Sequence, residues 1–477
     1  MGVTLLRIFL FMLLISISNS YDRLTPAEPL TTGDKLISHG GIFALGFFSP
    51  TNSSANSYVG IWYHKIPVRT YVWVANRDNP IASSSPGKLV LTNGSDLVLS
   101  DSEGQTLWTT TNSISPGGIK TTAILLDSGN LVIRLANGTD IWQSFHHPTD
   151  TMLPDMSLPL SKNTSMHLVA WRGTDDPSSS DYSFGGDSSL QIFVWNGTRP
   201  YWRRAALNGV ADYAMYQRNG LSMTQTIVNR GGEFYLMYTI SDSSPSVRMT
   251  MHYTGMMQIL VWNSSSSSWY CFFERPGSSC HRYASCGPFG YCDTTQEVAT
   301  CKCLDGFESN SLKFTVGCQR KKELRCGTGD SFATLLNMKT PDKFLFIRNR
   351  SFDQCRAECS RNCSCTAYAY ANLSSLGTTV DQSRCLVWMG ELVDTEKRGD
   401  GFGENLYIRI PSSSGKHQTN GPMDFAIPEQ LSNSDEQYNQ NSEFLQISFE
   451  DIIPATNGFS DSNVLGKGGF GIVYKVT

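Results

Sequence analysis

The chain has 477 residues, more than the roughly 100–200 that one domain usually holds, so several modules are expected. Its composition is that of an ordinary soluble protein, with 17% charged and 40% hydrophobic residues and a formal net charge of -4. That balance excludes a nucleic-acid-binding chain, and the lack of Pro-rich repeats argues against a structural cell-wall glycoprotein.

The N-terminus carries Arg7, a continuous apolar run over residues 8–15, then small polar residues at Ser18 and Ser20. A cationic start, a short hydrophobic stretch and a small-x-small site form a secretory signal, residues 1–20, with the mature chain starting near Tyr21. The run is too short to span a bilayer of about 30 Å.

Export agrees with two other features. Asn52, Asn93, Asn137, Asn163, Asn196, Asn263, Asn349, Asn362 and Asn372 each begin an Asn-x-Ser/Thr acceptor triplet, and none follows residue 372. All 13 cysteines fall within residues 271–385, the pattern of a disulfide block.

Segments such as KLVLTNGSDLVLSD and AILLDSGNLVIR, within residues 36–142, alternate short apolar triplets with Gly, Asn, Asp and Ser turns. This is an all-β barrel, prism or sandwich pattern. Trp62, Trp73, Trp108 and Trp142 are expected to fill a shared core. Residues 158–276 again read as strands, in LQIFVW, EFYLMYTI and MQILVW, so a second β domain follows. His146, His147, His167 and His252 are scattered without helical metal-site spacing, and are taken as surface or core residues.

Six cysteines then crowd residues 280–318, in CHRYASCGPFGYC, CKC and VGC. So small a segment needs stapling, and six cysteines in an oxidising compartment imply three bridges whose pairing the spacing leaves open. A zinc site would require paired ligands in a reducing compartment. A second group comprises Cys326, Cys355, Cys359, Cys363, Cys365 and Cys385. Ser351 and Gln354 form a capping-box signature for a helix through SFDQCRAECSRNC, with Cys355, Cys359 and Cys363 expected on one face and pinned to a sheet. Cys271 is left over, and its run WYCFF predicts that it is buried.

Taken together, these blocks resemble the plant S-locus-type, or G-type lectin, receptor-like serine/threonine kinases. VWVANRDNPI (72–81), LLDSGNLVIR (125–134) and WQSFHHPTDTMLP (142–154) are similar to that family's bulb-type lectin module. CHRYASCGPFGYC resembles its EGF-like segment, and CRAECSRNCSCTAYAY through RCLVWMGEL its PAN/apple module. The fold implied is mainly β and multidomain: a bulb-type lectin β-prism over residues 21–155, a second β domain, the S-locus glycoprotein domain, over 156–275, an EGF-like segment over 276–320 and a PAN/apple α+β module over 326–410. A linker or juxtamembrane-like stretch over 411–455 and a kinase N-terminal fragment over 456–477 follow, both expected to be disordered.

The resemblance further implies the pairs Cys280–Cys292, Cys286–Cys301, Cys303–Cys318, Cys355–Cys385 and Cys359–Cys365, with Cys326–Cys363 as a sixth. Mannose-binding members use a QxDxNxVxY strand. Aligning on NLV places Leu126, Ser128, Asn130, Val132 and Arg134 at those positions, so only Asn130 and Val132 match. Mannose binding by that strand is expected to be absent or weak, with Asn130 the single candidate sugar contact.

Gly466, Gly468, Gly471 and Val473 fit G-x-G-x-x-G-x-V, the loop over ATP phosphates. Phosphoryl transfer also needs a strand-three Lys, a catalytic-loop Asp and Asn and a Mg²⁺-binding Asp, and Lys475 comes too soon after the loop to be that Lys. Nothing over residues 411–477 has the roughly twenty apolar residues of a membrane span. The expectation is a secreted recognition region without catalytic machinery or cofactor, whose partner is an extracellular peptide, glycan or protein, or a full-length receptor in a homo- or heterodimer. The alternative is a piece of a plasma-membrane receptor kinase that uses ATP and Mg²⁺ in defence signalling or pollen recognition.

Overall fold

The computed structural model describes residues 22–51, 55–111, 120–160, 166–187, 191–205, 213–218, 221–241, 243–309, 316–326, 330–372, 383–399, 403–411, 460–468 and 471–475. The signal segment and residues 412–459 therefore lie outside the described residues, as do Asn52 and Asn163. Residues 1–413 form one compact unit and 414–477 another.

In the first unit, the lectin-like sequence builds three antiparallel sheets of four principal strands, running Leu131–Leu135 against Thr121–Leu125, Leu97–Ser100 against Lys88–Leu91, and Phe43–Phe48 against Asn56–Tyr63. Alternation decides the inward face: Leu89, Leu91, Leu97 and Leu99 are all buried, while Lys88 and Val90 are not. Each sheet sends one tryptophan to the centre. Trp73, Trp108 and Trp142 meet edge to face with ring centroids 5.8, 6.1 and 6.2 Å apart, the geometry aromatic quadrupoles prefer. Trp62 is buried elsewhere, with the Arg69 guanidinium 4.4 Å over its ring.

The second β domain repeats this plan with three further four-stranded sheets, one containing Val247–Met251 and Met257–Asn263, one Leu221–Arg230 and Glu233–Ile240, and one Leu168–Gly173 and Asp176–Gly186. Thr151–Met152, from the end of the lectin-like sequence, pairs with Val247–Met251 of this domain. One continuous hydrophobic core runs from Leu24 in the first prism to Val261 in the second.

The motif VWVANRDNPI joins the two prisms. Asn76 accepts the Val59 amide at 2.9 Å within the first prism. Buried Arg77 reaches across to the carbonyls of Pro177, Val169 and Ala170 at 2.8–2.9 Å. Asp78 accepts from the backbone and hydroxyl of Ser179 at 2.7 and 2.8 Å.

The EGF-like and PAN-like segments share one eight-stranded sheet, although the sequence reads as two modules. Gly290–Asp293 pairs in parallel with Thr395–Lys397, setting Tyr291 opposite Thr395. The helix Phe352–Arg361 packs on this sheet with the expected capping box: Ser351 Oγ accepts from Gln354 N and the Gln354 side chain accepts from Ser351 N. It ends at Arg361, so Cys355 and Cys359 share its buried face while Cys363 lies past the C-cap Asn362, outside the helix where it was expected.

A charged cluster ties the second prism to this sheet. Fully buried Arg203 donates to Asp394 Oδ2 at 2.7 Å and to Gln191 Oε1 at 2.6 Å, and Lys339 Nζ lies 2.9 Å from Asp394 Oδ2. Tyr283 of the EGF-like segment donates to Asp342 Oδ2 at 2.6 Å.

In the second unit, Val464–Gly468 and Gly471–Tyr474 pair as a hairpin, with Gly466 opposite Val473 and Gly468 opposite Gly471. The expected disorder of the tail therefore does not extend to these residues. Among the described residues, no helix is long and apolar enough to cross a membrane.

Candidate recognition site

All six implied disulfides form, at Cα separations of 5.2–5.8 Å: Cys280–Cys292, Cys286–Cys301, Cys303–Cys318, Cys326–Cys363, Cys355–Cys385 and Cys359–Cys365. The sulfurs of Cys280, Cys286 and Cys301 converge within 4.8 Å, yet each is bonded in a bridge and offers no thiolate to a metal. Cys271 is free and exposed, contrary to expectation. It lies on the edge strand Ser268–Arg275, where none of the apolar run WYCFF is fully buried, and its thiol donates to the Phe273 carbonyl at 3.4 Å. Burial, then the Glu274 carboxylate, push that thiol's pKa up.

Asn93, Asn137, Asn196, Asn263, Asn349 and Asn362 are all exposed, the last at the helix C-cap and the others at turns, bends or strand ends. Asn372 ends the strand Cys365–Asn372, and its side chain lies outside the described residues.

Asn130 is bonded within the protein. It is 6% exposed; its Nδ2 donates to Gln143 Oε1 at 2.9 Å, and its Oδ1 accepts from Ser144 Oγ and Phe145 N, each at 3.2 Å. The side chain ties Leu131–Leu135 to the turn after Asp140–Gln143. Its polar groups are satisfied within the protein, an arrangement that holds the strand to its own turn. Arg134, two strand positions after Val132, is paired with Asp140 at 2.6 Å.

The Gly-rich positions occupy the hairpin of the second unit. An ATP·Mg²⁺ site also needs a lysine and carboxylates from further strands and loops, so the hairpin alone does not fit the nucleotide and no phosphate chemistry is derived from it.

A cleft of about 430 Å³ lies between the prisms, within the roughly 300–1,000 Å³ of ligand pockets. Arg69, Thr70 and Tyr71 line it from the first prism, Asp150 from the junction, and Trp171, Arg248, Thr250, His252 and Trp269 from the second. Aromatic packing holds its walls: Tyr71 and Trp171 are nearly parallel, 24° apart with centroids 6.1 Å apart, and Trp269 Nε1 donates to Thr70 Oγ1 at 2.9 Å.

Arg248 lies 5.1 Å over the Trp269 ring. Burial holds its pKa below the usual guanidinium value, partly countered by Asp150. Burial likewise raises Asp150, against the pull of Arg77 and Arg248. Asp150 accepts from Thr250 Oγ1 at 3.2 Å and Thr149 Oγ1 at 3.3 Å. His252 is held towards its neutral form, chiefly by burial.

The sequence reading missed this cleft, because its residues come from stretches far apart in the chain, around residues 70, 150, 171, 250 and 269. One signal was present: in VRMTM, Arg248 interrupts a strand whose Val247, Met249 and Met251 are buried.

Three family models match the chain, described as D-mannose binding lectin over residues 70–172, S-locus glycoprotein domain over 199–311 and PAN-like domain over 326–395. A monocot mannose-binding lectin from Gastrodia elata, of known structure, is similar over 26% of this chain and 96% of its own, at 18% identity and a TM-score of 0.20. The receptor-like serine/threonine-protein kinase SD1-8 of Arabidopsis thaliana is 32% identical over 98% of this chain and 62% of its own length. The chain thus spans less than two thirds of that receptor. The S-locus-specific glycoprotein S6 of Brassica oleracea is 34% identical over 86% of this chain and 96% of that protein. With three co-linear domains and a relative matched almost end to end, the chain belongs to the family of S-locus glycoproteins and G-type lectin S-receptor-like serine/threonine kinases.

Proposed function

We propose that this chain is an extracellular ligand-recognition region of the S-locus type that acts as a secreted form without kinase activity. The observation that carries the reading is the joint placement of bridges and acceptor sites: twelve cysteines are closed in six disulfides, and every described sequon asparagine with a described side chain is exposed. Both suit an oxidising, glycosylating compartment. The ligand is an extracellular peptide, glycan or protein, recognised without nucleic acid. A full-length receptor is the natural partner for a homo- or heterodimer.

The second reading, a piece of a plasma-membrane receptor serine/threonine kinase using ATP and Mg²⁺ in defence or pollen recognition, is favoured by the Gly-rich hairpin and by the 62% coverage of SD1-8. Expression of the chain in plant cells separates the two. A glycan-shifted product in the medium supports the secreted reading. Retention in carbonate-washed membranes supports the receptor reading, and an unglycosylated intracellular product overturns both.

A further inference from the structure

Each buried arginine among the described residues has at least one bonded or ion-paired acceptor, although Arg384 Nε and Arg409 Nε, like Arg248 Nε, make no hydrogen bond. Arg77 bonds carbonyls of the second prism, Arg203 bonds Asp394 and Gln191, Arg384 pairs with Glu404, and Arg409 bonds the carbonyls of Asn362 and Ser360 and pairs with Asp330. Arg248 differs. Its Nε is shielded from solvent and has no hydrogen-bond partner, and no hydrogen bond or ion pair joins it to any acceptor among the described residues. Asp150, the acid whose charge acts on Arg248, directs its oxygens to Thr149 and Thr250. The half-buried guanidinium thus has no acceptor among the described residues, and an anion entering the cleft supplies one.

The walls narrow the class of anion. Tyr71, stacked on Phe48 with centroids 3.8 Å apart, lines the cleft with Trp171 and Trp269, and the shielded Trp171 Nε1 is a second donor without a hydrogen-bond partner among the described residues. Donors without acceptors suit a carboxylate, and flat aromatic faces suit the C–H faces of a sugar ring. An acidic peptide side chain supplies the carboxylate but not the flat ring. At the rim, exposed Arg69 provides a second positive charge for a neighbouring carboxylate.

We propose, resting on the extracellular-recognition reading above, that the cleft between the prisms binds an acidic oligosaccharide, with a uronate carboxylate held by Arg248 and its rings laid along Tyr71, Trp171 and Trp269. The site is separate from the NLV strand, where Asn130 is already satisfied within the protein.

The test titrates the secreted, glycosylated chain with trigalacturonate, its methyl ester and a glutamate tripeptide, read by calorimetry and tryptophan fluorescence. Trigalacturonate is expected to bind, to quench fluorescence and to weaken as salt rises, while the ester and the peptide bind far less. Arg248→Gln is expected to weaken binding about 30-fold or more, and Arg248→Lys less. Trp171→Phe, which keeps a ring but removes the indole N–H, gives a second measure should Arg248→Gln fail to fold. Equal binding of the ester, preference for the peptide, or full affinity in folded variants of both positions overturns the proposal. A secreted, glycosylated chain that binds none of the probes overturns the ligand assignment alone, whereas a chain that is never exported overturns the reading beneath it.

Discussion

Asp293 is a nearly buried carboxylate on the strand that carries the EGF-like segment into the PAN-like sheet. Burial raises its pKa, but Lys302 Nζ at 2.7 Å and the hydroxyl and amide of Thr295 outweigh this and bring it to about 2. A carboxylate depressed below its unfolded value, about 3.9, adds stability above that pH and loses it as pH falls towards 2. Melting temperature should therefore drop across the window from about pH 4 to about pH 2, and Asp293→Asn should flatten that part of the profile; an unchanged profile would remove Asp293 from the account. Cys271 gives a second test. The non-reduced native chain should take up one equivalent of maleimide, slowly at neutral pH because burial and Glu274 raise the thiol's pKa. Glu274→Gln should speed the reaction, and labelling only after denaturation would contradict the exposed placement. Cys271 and Asn130 are also where the sequence was least legible. An apolar run says nothing about which residues of an edge strand face outward, and a motif asparagine does not reveal whether its amide points to a ligand or to its own turn.

At the scale of elements, the helix Phe352–Arg361 was legible because its start signal is chemical: a hydroxyl at the N-cap and an amide three residues on. Loss of that cap should cost about 1 kcal/mol. Ser351 also completes the Asn349 sequon, so the melting comparison of Ser351→Ala with the parent belongs on deglycosylated protein, and a difference near zero would show that the bridges at Cys355 and Cys359 hold the helix alone. The motif containing Asn76, Arg77 and Asp78 was legible as a lectin signature, but its task was not. Its arginine and aspartate serve a neighbouring domain about a hundred residues away in sequence, and no local pattern encodes that. Arg77→Ala leaves several buried carbonyls of the second prism unpaired, so destabilisation of about 2–4 kcal/mol is expected in chemical denaturation. A loss below about 0.5 kcal/mol would mean that water replaces the guanidinium.

For the whole molecule, the strand pattern and cysteine clusters revealed a mainly β, stapled, multidomain chain. The sequence could not reveal that the second β domain repeats the three-sheet plan of the first, or that the EGF-like strands join the PAN-like sheet, because parallel pairing across a hundred residues leaves no periodicity to read. The Arg203 cluster turns these modules into one body. Arg203→Ala leaves Asp394 with Lys339 as its remaining ion-pair partner, and removal of one member of a buried charged cluster typically costs about 3–5 kcal/mol. Calorimetry should then resolve the second prism and the PAN-like sheet as separate transitions where the parent shows one; a single transition in the variant would mean that the hydrophobic contacts suffice to couple them. The sheet's strand order has a further consequence for how the chain is made. Glu404–Pro411 lies inside the sheet, between Asp330–Lys339 and Cys365–Asn372, yet it is the last of the eight strands to leave the ribosome. Until it arrives, two long strands wait with open edges that invite pairing with other chains, so the burden of chaperoning falls at the end of synthesis, and a nascent chain halted before residue 404 is one that quality control has reason to hold back.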